Sequence, residues 1–304
     1  MSTENARTGT PGAAGGDPLD RILYSDDALC IGLFDCPRNH PRFADSGPAS
    51  GDLVVFPRDA VEIRHPGHDP LVADSRIMTL YNSGQEYRRG ALSPYGDRSM
   101  WLRFPREAVV EALIDAGRSH PALERRPFES PFSPCSTECY FRARKLLNKL
   151  LVGNATDSLG IQEMGYRLLY TAISVLPDSR GHTSPQRPST RARHRRLANR
   201  CQALLAGRFG ESLSLTDLAR ELATTPFHLS RVFSSQTGTT IHNYLMSLRL
   251  RAALDLVIER PDRRLTDISA DLGFATPSHF SRRFRQSFGR SPGACRFRRL
   301  DPNS

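Results

Sequence analysis

The chain has 304 residues, of which 38% are hydrophobic, and a formal net charge of +10. No apolar run approaches the ~20 residues of a membrane span, and the first residues lack the apolar core of a secretory leader, so a cytoplasmic, membrane-free protein is expected. Six cysteines (Cys30, Cys36, Cys135, Cys139, Cys201, Cys295) are too sparse for a disulfide framework, and reduced thiols are expected.

Residues 1–18, "MSTENARTGTPGAAGGDP", read as a disordered lead-in. A β-rich regulatory domain is expected over 19–176. "ALCIGLF", "DLVVFP", "AVEIR", "RIMTLY" and "SMWLRF" are short, rich in β-branched or aromatic residues, and separated by Pro, Gly, Asp and Asn. That spacing predicts a small barrel or sandwich. Helices are predicted at 106–117, 138–152 and 159–176. Phe141, Leu146, Leu147, Leu150 and Leu151, then Met164, Leu168, Leu169 and Ile173, supply apolar stripes for the last two. Such a helix pair could cover a sheet face or join the protomers of a homodimer, and both readings stay open. A linker is expected over 177–194, where "PDSRGHTSPQRPST" carries three prolines and no apolar period. "RARHRR", 191–196, is either the polar start of a helix or a phosphate-contacting arm.

Charge is unevenly placed. Residues 191–300 hold 20 arginines and no lysine against 8 acidic residues, an excess of 12, which leaves −2 for the rest. A basic C-terminal third behind a near-neutral front is the layout of a polyanion-binding module with an accessory domain.

That third contains a repeat. "SLTDLARELATTPFHLSRVFSSQTG" runs against "RLTDISADLGFATPSHFSRRFRQSFG", with Arg231 and Arg282 separated by 51 residues. Each copy divides into a short helix, a turn and a second helix. Leu215, Leu218, Ala219 and Leu222 match Leu265, Ile268 and Leu272 on the first helices. Ser214 to Asp217 has capping-box spacing, Thr225 and Thr276 suit N-caps, and Pro226 and Pro277 suit the first turn. Gly273 suits a left-handed helix end. On the second helices Leu229, Val232 and Phe233, then Phe280, Phe284 and Phe288, face inward. Phe227, Ser230, Arg231 and Ser234 are left forward in one copy, and Ser278, Ser281, Arg282 and Arg285 in the other. An apolar back with arginine and small polar residues forward fits a major groove, where arginine bonds two acceptors of guanine.

Residues 195–298 resemble the double helix-turn-helix domain of the AraC/XylS family of bacterial transcription regulators. "LTDLARELATTPFHLSRVFSSQTG" is similar to its first motif and "YLMSLRLRAALDLV", with Arg249, to its connecting helix. Ile268, Ala270, Gly273, Phe274, Phe280, Arg282, Phe284, Gly289, Pro292 and Arg296 stand at the spacing of its second signature. The resemblance implies an α+β multidomain protein that is not an enzyme: a cupin-like β-barrel or sandwich with appended helices, then an all-α double helix-turn-helix domain and a tail at 299–304. It also implies a sequence-specific regulator of promoter DNA, an activator among its kind, that contacts RNA polymerase. Base contacts are expected from Phe227, Ser230 and Arg231 and from Ser278, His279 and Arg282. Backbone contacts are expected from Thr225, Ser234, Thr276, Ser281, Arg285, Arg195 and Arg196. Pro277, Ser291 and Cys295 depart from the family's usual residues.

"DLVVFPRDAVEI" and "SPYGD" resemble sensor domains of that family, which implies a small effector. His65 and His68 lack the His-x-His arrangement of enzymatic cupins, and no cofactor is expected. His120, Trp101 and Tyr95 are candidates for a ligand pocket or for ordinary packing. Two alternatives remain: a zinc- or redox-responsive thiol site from Cys36, His40, Cys135 and Cys139, and a nonspecific architectural DNA-binding protein.

Overall fold

The computed structural model describes residues 19–45, 47–152, 157–176 and 188–296. The expected lead-in and tail, and residues 177–187 of the expected linker, lie outside them.

Nine strands come first: β1 (Asp20–Ser25), β2 (Cys30–Cys36), β3 (Asp52–Pro57), β4 (Val61–Arg64), β5 (Leu71–Ala73), β6 (Ile77–Tyr81), β7 (Arg88–Ala91), β8 (Asp97–Phe104) and, after α1 (Arg106–Asp115), β9 (Phe132–Pro134). They form a six-stranded sheet in the order β1-β2-β8-β3-β6-β9 and a three-stranded sheet in the order β5-β4-β7. Every pairing between them is antiparallel. Neither sheet closes on itself, so the described strands build two open sheets and not a closed barrel. Strands β1, β5, β7 and β9 were not among the sequence expectations. β5 and β9 are three residues each, too short for an alternating pattern, and β1 and β7 bury at most one side chain each.

The period of two along each strand sorts side chains between two compartments. Val54 and Phe56, Met78 and Leu80, and Met100, Leu102 and Phe104 point into one core with helices α1, α2 (Thr137–Leu151) and α3 (Ser158–Ser174). The helix pair therefore covers a sheet face. The alternate residues Leu53, Val55, Thr79, Tyr81, Ser99 and Trp101 point the other way and line a cavity of about 250 Å³, closed on its far side by Val61, Ile63 and Ala73 of the small sheet. Gly32 pairs with Trp101 across β2 and β8. A Cβ at Gly32 would stand 2.3 Å from the indole, so glycine makes the seat for the only tryptophan.

The remaining helices are α4 (Pro188–Gly207), α5 (Leu215–Glu221), α6 (Pro226–Thr237), α7 (Ile241–Glu259), α8 (Leu265–Asp271) and α9 (Pro277–Phe288), with a 3₁₀ turn at Gly293–Cys295. Residues 188–194 of the expected linker belong to α4. Helix α7 has buried residues on every side, as a helix enclosed by neighbours must. Its Leu250, Ala253, Leu254 and Val257 share one core with α2, α3 and the large sheet. Among the described residues no helix is long and apolar enough to cross a membrane.

Candidate nucleic-acid interface

The two copies of the repeat fold alike because their caps are alike. Thr225 Oγ1 accepts from His228 N at 3.2 Å and Thr276 Oγ1 from His279 N at 3.1 Å, and the proline of each pair occupies the first turn. Gly238 (φ 67°) and Gly289 (φ 69°) end α6 and α9 in the left-handed region. The turns between helices match too: Gly273 has φ 70°, and Ala223, its counterpart, is held at φ 53° despite its Cβ. Ser214 caps α5 through Asp217 N at 3.1 Å. The Asp217 carboxylate meets the Ser214 hydroxyl at 2.5 Å, too short a side chain to complete the expected box. Arg264 precedes α8 with no side-chain cap.

Leu229, Val232 and Phe233 of α6 are buried, as are Phe280, Phe284 and Phe288 of α9. Phe227 is 80% exposed. Arg231, Ser278, Arg282, Arg285, Thr225 and Thr276 are exposed, while Ser230, Ser234, His279 and Ser281 are half-buried. The His279 ring rests 6.1 Å from that of Phe274. No carboxylate among the described residues pairs with Arg231, Arg282 or Arg285. Both forward faces thus present arginine to solvent without a protein counter-ion, and the front domain does not bury them. At the start of α6, the His194 and His228 rings stand 5.7 Å apart. Burial and then the His228 and Arg231 charges hold the His194 imidazole below its ordinary value. Of the two arm residues, Arg196 is exposed, whereas Arg195 is paired with Asp69 of the front domain.

The two motifs are joined by one residue of α7. Arg249 donates to the carbonyls of Phe209, Gly273 and Glu211, each at 2.7 Å. The first and third precede α5, and the second lies in the turn between α8 and α9. A Cβ at Gly273 would lie 2.8 Å from Arg249 Nη2, so glycine there also admits the guanidinium.

The same helix is gripped by the front domain, through residues that periodicity did not single out. Tyr140 of α2 donates to Asp255 Oδ2 at 2.9 Å. Arg144 Nε lies 2.8 Å from Asp255 Oδ1, an ion pair without hydrogen-bond alignment, and its Nη2 donates to Glu259 at 2.6 Å. Arg58 reaches both carboxylate oxygens of Glu259, at 2.6 and 2.7 Å. Burial pushes the Asp255 carboxyl above its ordinary value, and Arg144 and Arg58 oppose that. Tyr244 donates to Asp74, and Arg251 to the carbonyls of Ser75 and Cys135. The signal available in "LRLRAALDLVIE" was four charged residues inside a helix too apolar to leave a solvent face.

The four proposed thiol-site residues are not brought together. Cys36 packs with Phe43, Val61 and Ile63, whereas Cys135 and Cys139 sit in the core with Met78. Among the described residues no three His, Cys, Asp or Glu side chains are placed to hold a metal ion.

A family profile described as a helix-turn-helix domain matches residues 218–298, from α5 to beyond the 3₁₀ turn. The transcriptional activator RhrA of Rhizobium meliloti is 30% identical over 264 residues, 80% of this chain and 79% of RhrA. The chain belongs to the AraC/XylS family. The Msm operon regulatory protein of Streptococcus mutans is 28% identical over 131 residues, and this chain spans 45% of its length. A solved regulator with an AraC-type DNA-binding domain, from Chromobacterium violaceum, is 27% identical over 37% of this chain and 99% of that one, with a TM-score of 0.33. The relatives so named are transcription regulators, and the family's repeated motif is the α5–α6 and α8–α9 pair described above.

Proposed function

We propose that the chain is a sequence-specific transcription regulator that lays α6 and α9 into two successive major-groove segments of promoter DNA. The observation that carries this reading is the pair of matched helices, each with a buried apolar back and an unpaired forward arginine, locked to one another by Arg249. Arg231 and Arg282 read guanine edges, Phe227 and the serines adapt to their neighbours, and Thr225, Thr276, Arg285 and Arg196 contact phosphates. Arg195 serves there only when released from Asp69.

In the same reading the two sheets act as a cupin-like vessel for a small effector, supported by the cavity between them and by its mixed lining of Trp101, Tyr81, Tyr87, Thr79 and Ser99. RNA polymerase is the protein partner, the cytoplasm the place of action, and no catalytic step is involved. Selection of bound duplexes from a random pool at fixed salt tests the central claim. Two conserved blocks about one helical turn, ~10 base pairs, apart are expected. Binding without preference for any sequence would refute it and favour an architectural role.

A further inference from the structure

Strand β5 is the outer strand of the small sheet and pairs along one side with β4. Its Ala73 closes the far wall of the cavity between the sheets. The residues at both of its ends hold the helical half of the chain. Before the strand, the Asp69 carboxylate pairs with Arg195 of α4, and the Pro70 carbonyl accepts from Asn199 Nδ2 at 2.8 Å. After it, Asp74 accepts from the Tyr244 hydroxyl and the Ser75 carbonyl from Arg251, both on α7.

These bonds lead to one recognition helix and not the other. Helix α4 packs along α6. The Tyr244 ring meets that of Phe233, on the buried back of α6, edge-on at 5.3 Å. The Tyr244 hydroxyl also accepts from Gln202 of α4 at 3.2 Å. Cys201, Leu205, Leu229, Phe233 and Tyr244 share one core, which Ala60 beside β4 joins. Among the described residues no hydrogen bond or ion pair joins β5 or its flanks to α8 or α9.

One of these contacts competes directly with a duplex. Asp69 and Arg195 are 57% and 41% exposed, and an ion pair in water is weak and changes partners readily. A phosphate offers the same guanidinium a charged acceptor of equal geometry. Arg195 follows His194, whose ring stands 5.7 Å from that of His228 at the start of α6, so it sits at the edge of the first recognition helix.

We infer that β5 is a latch: through Asp69 it withholds Arg195 from the DNA backbone, and through Pro70, Asp74 and Ser75 it ties the first motif to the cavity wall. The inference rests on the reading of α6 and α9 as DNA-binding helices and adds a regulation to it. DNA and the front domain compete for α4. By reciprocity, DNA that takes Arg195 loosens β5, and whatever moves β5 from the cavity wall frees Arg195.

The test uses the full chain and a duplex carrying its selected tandem site, at about 0.15 M salt, where charges more than about 8 Å apart are screened. Asp69→Ala, a surface change, should tighten binding about threefold, within the range open to an exposed pair. It should have no effect when Arg195→Ala is also present. Amide exchange of residues 71–73 should quicken about threefold when the duplex is added to the parent, and should already be fast in free Asp69→Ala. The inference is overturned if Asp69→Ala binds no tighter, if it gains as much in the Arg195→Ala background, or if β5 exchange is unchanged or slowed by the duplex. A parent chain that binds no duplex would refute the reading of the helices as well. A parent that binds, with an Asp69→Ala variant that binds no better, refutes the latch alone.

Discussion

Replacing Arg249 with alanine removes the fork that ties the first motif to the second. Three carbonyls, those of Phe209, Glu211 and Gly273, lose a charged donor at 2.7 Å. A hydrogen bond to a charged group contributes about 1.5–3 kcal/mol net. Water can reclaim the carbonyl at Glu211, an exposed residue, but less readily those at half-buried Phe209 and Gly273, which leaves a loss of about 3 kcal/mol. For a chain of this size that is a fall of roughly 5 °C in thermal midpoint. Arg249→Lys keeps the charge but cannot span three acceptors, and should recover less than half of the loss. In equilibrium binding at fixed salt, Arg249→Ala should weaken a tandem site far more than an isolated half-site, because the contacts of each helix survive while their spacing does not. A midpoint within about 2 °C of the parent would refute the argument. So would equal weakening on tandem and single sites.

Arg231→Ala and Arg282→Ala should each cost about 1–3 kcal/mol of DNA affinity and relax preference at one base position. Competition with single-base variants checks this, and uniform weakening would reassign the residue to phosphate. Ala223→Gly should stabilise the chain by about 1 kcal/mol in urea melts, since φ 53° strains alanine and not glycine; no gain would show that the turn has relaxed around the Cβ. Gly32→Ala should shift the emission of the sole tryptophan, whose ring stands where the new Cβ would go. Its indole N–H to Asp20 bond, 2.8 Å, should be lost with the seat, and an unaltered spectrum would contradict that packing. Burial holds the His65 imidazole below its ordinary value. As pH falls below about 6.5, the unfolded chain therefore takes up the proton first, and native stability declines toward the folded value. His65→Gln should reduce the drop in urea midpoint between about pH 7 and pH 5.5; an unchanged drop would assign it to other groups.

The sequence alone determined the twin motifs, because every feature that makes them is local. Thr-Pro caps, a glycine at each helix end and apolar residues three and four apart act within a few residues, so α6 and α9 could be placed and their forward faces named. Five central strands were legible for the same reason, through their β-branched runs. Tertiary structure alone decided the rest. Whether the strands close into a barrel depends on pairings such as Cys30 with Arg103, which no short window contains. The bonds that hold α7 join residues more than a hundred positions apart, Tyr140 to Asp255 and Arg58 to Glu259 among them. The same distance defeated the four-residue thiol site: spacing gave Cys36 and His40, Cys135 and Cys139 as pairs, but two packed cores hold them apart. Local propensity sets what an element is, and long-range burial and charge pairing set what it touches.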